Sequence, residues 1–158
     1  MDTQSLAVRP DLPPEMIRDG EELLRAVDRE GTPLESAFWM WHAEEGAWAL
    51  HLQSSKYPNP LRFLQFIQSI GKTIPRKLAL TLIVPVSPES PLPHLIGVMF
   101  RTDPQGIQQI SSWGNSINGV ILPPMLIYRN SPLAPTSNAS QNLPPSGGST
   151  EETSLPAK

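Results

Sequence analysis

The chain contains no cysteine. Disulfides, thiolate nucleophiles and cysteine-held metals are thereby excluded, and the absence fits a reducing, cytoplasmic setting. No run approaches the ~18 consecutive apolar residues of a membrane-spanning helix. The first residues, Met1 to Pro14, hold an acidic Asp2 and no apolar stretch, unlike a secretory leader. The expectation is a soluble cytoplasmic protein with no membrane partner. Acid is missing from one long interval: no Asp or Glu lies between Gly46 and Pro88, whereas Lys56, Arg62, Lys72, Arg76 and Lys77 do. The overall charge is nonetheless −3, which is not the balance of a dedicated nucleic-acid binder.

Apolar patterning is missing from both ends. Residues 1–14 read as a loose arm kept extended by Pro10, Pro13 and Pro14. From Asn130 onward five prolines, two adjacent glycines and many Ser, Thr and Asn residues leave too little apolar surface to pack, so 130–158 is expected to be a disordered tail. Between them, residues 15–129 alternate apolar runs with turn signals. A body of roughly 115 residues can bury one core without metal or disulfide.

A helix opens this body. Asp19 and Glu22 have the spacing of a capping box, Leu23, Leu24 and Val27 share a face, and Gly31 followed by Pro33 ends it. Next come two aromatic-rich runs around Glu44-Glu45-Gly46, read as a β-hairpin. They hold Trp39, Trp41, Trp48, His42 and His51. The register decides what these residues can do, because a slip of one position exchanges the faces. A two- or four-residue loop puts Trp39, Trp41, Trp48, Leu50 and Leu52 on one face and His42, Glu44 and His51 on the other. A three-residue loop closed by glycine is preferred for this turn. It separates the histidines and sets Trp39 and Trp41 over Ala47 and Ala49.

Asn59-Pro60 starts a second helix with a stripe of Leu61, Phe63, Leu64, Phe66, Ile67 and Ile70. Leu78 to Val86, almost wholly apolar, predicts a central strand. A short helix from Ser90-Pro91, a strand over Ile107–Trp113 and an Asn118-Gly119 turn into Val120–Leu122 follow. Met125–Tyr128 is expected at an edge or after a bulge, because Pro123-Pro124 interrupts the ladder. The order α-β-β-α-β-α-β-β gives an α+β domain with a mainly antiparallel sheet of about five strands and helices on one face.

Five short patterns accompany this order: Gly31 to Pro33, Ala37 to Trp39, Trp48 to Leu50, Asn118 to Val120, and Tyr128-Arg129. In these the body, over most of 20–129, resembles a group of small uncharacterised bacterial proteins. The resemblance implies no activity, cofactor or site residue.

The chemistry-bearing residues are few. With His42 and His51 on opposite faces no metal site is expected, and no cofactor. Gly71-Lys72-Thr73 imitates the end of a phosphate loop, but position 66 is Phe66 where that motif needs glycine. Glu44 and Glu45 sit in an exposed turn without the burial that tunes a general acid or base. The expectation therefore leans away from an enzyme and towards a non-catalytic interaction or accessory domain. It would meet a protein partner or a second copy through Trp39 and Trp41. The alternative is an accessory protein touching nucleic acid through Lys56, Tyr57, Arg62, Lys72, Arg76 and Lys77, with Tyr57 as a stacking platform. Metal-dependent hydrolysis by the histidines comes third.

Overall fold

A computed structural model describes residues 10–74 and 78–132. Residues 1–9 of the expected arm, Pro75 to Lys77, and residues 133–158 of the expected tail lie outside the described part. Within it the domain is α+β, with three α-helices and a mixed five-stranded sheet. No helix among the described residues is long and apolar enough to cross a membrane.

Helix α1 spans Pro14–Arg29, starting five residues before the expected capping box. Proline in the first turn presets the helical φ and has no N–H to leave unpaired. Glu15 at its start and Arg29 at its end oppose the helix dipole. Asp19 is thus an interior residue and not a cap. Gly31 ends the helix at φ 75°, as the Gly-x-Pro pattern requires.

Strands β1 (Ser36–His42) and β2 (Ala47–Gln53) form the hairpin, but not in the preferred register. His42 pairs with Ala47, Trp41 with Trp48 and Trp39 with Leu50, leaving a four-residue loop, Ala43 to Gly46. Gly46 adopts φ 61°, so glycine does occupy a left-handed position. That requirement belongs to three- and four-residue loops alike, so glycine could not choose between them. Burial could: this pairing unites Ala37, Trp39, Trp41, Trp48, Leu50 and Leu52 on one face. The preferred register would have parted Trp41 from Trp48.

Helix α2 (Pro60–Gly71) is capped as expected, Asn59 Oδ1 accepting from the Arg62 amide at 3.1 Å. It carries the chain across to β3 (Ile83–Pro85), which pairs parallel to β2. This makes the sheet mixed, with three antiparallel pairings and one parallel pairing at its edge, where a mainly antiparallel sheet was expected. The apolar run 78–86 therefore corrects to a 3₁₀ turn, Leu80–Leu82, and three residues of edge strand. A continuous apolar run suggests burial, and Leu78, Leu80 and Leu82 are partly buried, packing against the core without joining the ladder.

Helix α3 (Leu92–Ile96) is followed by β4 (Ile110–Ser112), a two-stranded ribbon of β5 (Ser116–Ile117) and β6 (Val120–Ile121), and β7 (Met125–Asn130). The Asn118-Gly119 turn has φ 51° and 79°, the left-handed pair a two-residue hairpin needs. The sheet order is β3-β2-β1-β7-β4, so β7 is interior and not an edge, with all six residues buried. Pro123-Pro124 precedes its first paired residue and does not block it. β7 also runs to Asn130, one residue past the boundary expected from composition.

The sheet has a core on each side. On one, α1 and α2 cover Trp39, Leu50, Leu52 and Tyr128 with Leu23, Leu24, Phe63 and Ile67. On the other, Ile96 of α3 joins Phe38, Met125, Ile127, Ile117 and Leu122. Helices thus lie on both faces, not one.

Candidate functional site

Each face of the hairpin presents one feature with chemistry. The face covered by α1 and α2 bears the hairpin tryptophans. Trp39, centred beneath α1, is fully buried; its Nε1 donates to Tyr128 Oη at 2.9 Å, and that hydroxyl donates to the Ile17 carbonyl. Burial, together with the acidic Glu21 and Asp19, pushes the Tyr128 phenol above its ordinary range, although the Trp39 bond opposes this. Trp39, expected to face a partner, is a core residue here.

Trp41, one row nearer the loop, is half-buried. It packs edge-on to Trp48 with ring centroids 5.6 Å apart, and Trp48 Nε1 donates to the Asp11 carbonyl at 3.1 Å. The Trp41 amide donates to the Pro124 carbonyl at 2.9 Å, continuing the β1–β7 ladder by one position. Trp41 and Trp48 are thus cross-strand partners, while Trp113, 42% exposed, leaves β4 just past the Ser112–Met125 pair, at the same end of the sheet. Trp113 was missed from sequence because nothing local ties it to the hairpin. Only the pairing of β7 between β1 and β4 does so.

The opposite face carries the histidines, together and not apart. The register separates them by the Met40–Ala49 pair, two residues further than a diagonal contact. The side chains close that gap: His42 Nε2 and His51 Nε2 are 2.9 Å apart. The ring centroids are 5.1 Å apart and the planes agree within 8°. That centroid separation is the nitrogen–nitrogen distance plus one ring radius at each end, so the rings meet edge to edge. The two nitrogens then lie on the line joining the ring centres, and one N–H points straight at the other lone pair. His51 is buried and lies parallel to Phe38, with centroids 5.2 Å apart. Burial, then the charge of a protonated His42, holds the His51 imidazole down at about 4. His42 is 27% exposed, and its Nδ1 lies 3.7 Å from Glu45 Oε1. The carboxylate near the pair is thus Glu45, where the sequence pointed to Glu44. Among the described residues no three His, Cys, Asp or Glu side chains converge on one point.

The basic segment divides. Arg62 is in the first turn of α2 and Lys72 follows its last, so about 15 Å of helix separates them. Tyr57 is not a free platform: its ring lies parallel to Phe66 and Phe63, with centroids at 4.7 and 5.7 Å. Lys56 Nζ sits 5.8 Å from the Tyr57 centroid. Arg76 and Lys77 lie outside the described residues. Lys72 borders an apolar cleft of about 450 Å³ lined by Leu23, Ile67, Leu78, Leu80 and Ile83.

No protein family, curated protein or solved structure matches the chain.

Proposed function

We propose that the chain is a non-catalytic interaction or accessory domain that meets another protein through the tryptophans at this end of the sheet. The supporting observation is that Trp41 pairs with Trp48 across the hairpin while Trp113, just past β4 at the same end of the sheet, is 42% open to solvent. Tryptophan offers a large, stiff apolar surface with one polar handle, and it is enriched among the residues that dominate binding energy. Nucleic-acid contact through 56–77 is the weaker reading, because Tyr57 is occupied by Phe63 and Phe66 and the charges sit at both ends of α2.

Affinity capture from the native host with the wild-type chain and with Trp113→Ala tests this. The wild-type should retain a protein that the variant loses, with the variant's unfolding midpoint unchanged within about 0.5 kcal/mol of stability, as for other surface replacements. Equal recovery by the two chains would overturn the reading.

A further inference from the structure

We propose that His42 and His51 form a two-coordinate site for a monovalent d¹⁰ cation, Cu(I), held in line between their Nε2 atoms. The site lies on the sheet face opposite the hairpin tryptophans and is independent of them.

The geometry selects the coordination number. An imidazole nitrogen binds a metal along its lone pair, which lies in the ring plane on the line from the ring centre. Here both axes coincide, since the centres, the two nitrogens and the 2.9 Å gap are collinear and the planes agree within 8°. A tetrahedral dication would need both rings tilted until those axes cross, and then two more ligands. Among the described residues no third His, Cys, Asp or Glu side chain converges there. A linear ion needs only separation. With metal–imidazole bonds of about 2 Å, the nitrogens must part to roughly 4 Å, about one ångström further than now. His42 can supply that movement, being the last residue of β1, beside the loop and 27% exposed. His51 is anchored by burial and by Phe38.

Proton accounting favours the same ion. The neutral pair holds two ring protons, one between the rings and one on the far nitrogen of the acceptor. Loading moves the central proton to its own ring's Nδ1, so both Nε2 lone pairs face the metal and none is released. Glu45, beside His42 Nδ1 on the ring edge away from His51, favours a proton there, as an outer carboxylate does for a metal-bound histidine. Two neutral ligands and one exposed carboxylate suit a single positive charge better than a double one. Imidazole suits copper, and without cysteine no thiolate in this chain competes for a soft ion.

The test is an anaerobic titration of the full chain with Cu(I) against a chromogenic chelator, repeated with Ag(I) as a redox-inert probe. His42→Gln, His51→Gln and His94→Gln are run beside the wild-type. One equivalent should bind the wild-type and His94→Gln about tenfold or more tighter than either other variant. X-ray absorption of the copper-loaded chain should show two nitrogen neighbours in line. Should His51→Gln fail to fold, His42→Gln, altered at the solvent side, decides. The proposal is overturned if His42→Gln binds Cu(I) as the wild-type does, which would assign binding to methionine thioethers. It is overturned equally if Zn(II) binds the wild-type as tightly as Cu(I) and loses that affinity in His42→Gln, which would make the site bent.

Discussion

Gly20 is where α1 meets Tyr128 and Trp39. An added Cβ would stand 2.5 Å from Tyr128 Oη and 3.0 Å from Trp39 Nε1, and neither buried ring has anywhere to move. Alanine improves helix propensity by about 1 kcal/mol. The overpacking of about 1–3 kcal/mol and the strained Trp39–Tyr128 bond outweigh it. Gly20→Ala should therefore lower the urea midpoint, whereas Gly71→Ala, with open space around its Cβ, should hold or raise it. His51 makes a second residue-scale prediction. Its folded-state pKa, about 4, lies below the ordinary 6.5, so between those values the unfolded chain binds the extra proton. Stability from this group is full above pH 6.5 and falls as pH drops towards 4, by a total on the order of 3 kcal/mol. Denaturant titrations across that window should show the loss in the wild-type and a much flatter profile in His51→Gln. The same slope in both would place the proton uptake elsewhere.

At the scale of elements, the ends of β7 and α2 hold the domain's polar joints. Asn130 accepts from Ser36 Oγ at 2.8 Å and donates to the Pro93 and Phe100 carbonyls, both at 3.0 Å. Asn130→Ala leaves three buried or part-buried groups without that partner, at about 1–3 kcal/mol or more. Calorimetry should show it melting well below Asn59→Ala, where a single cap worth about 1 kcal/mol is lost. Elements with a local cause were legible in the sequence: the Gly31 stop, the Asn59 cap and the Asn118-Gly119 turn each depend on one or two residues. Asn130 was not, because composition assigned it to a tail while its partners lie 37, 30 and 94 residues away. The hairpin was half legible. Its strands and the left-handed Gly46 follow from local sequence, but its register follows from burying Trp41 with Trp48, which the loop alone does not reveal. The site inherited that error. One misplaced position parted two histidines that meet, and gave Trp39 an exposure that belongs to Trp113.

On the scale of the molecule, one buried cation ties α1 to the long connection on the far side of β7. The Arg129 guanidinium, 1% exposed, pairs with both Asp28 carboxylate oxygens at 3.1 and 2.9 Å and donates to the Gly106 and Gln105 carbonyls. Asp28→Ala strands that charge. The cost belongs at the lower end of about 3–5 kcal/mol, since the Asp28 side chain is itself 36% exposed. Chemical unfolding at neutral pH would measure it, and a change under about 0.5 kcal/mol would show that the carbonyls suffice. The same long-range wiring, with β7 threaded between β1 and β4, gives the sheet its two faces, the hairpin tryptophans on one and the histidines on the other. Both proposals depend on that hairpin register. It is tested most directly by ¹⁵N spectroscopy of the histidine rings in the metal-free chain. A scalar coupling across the hydrogen bond between His42 Nε2 and His51 Nε2, with backbone contacts pairing His42 with Ala47, is the predicted result. Uncoupled rings, with contacts pairing Ala43 with Ala47, would contradict it.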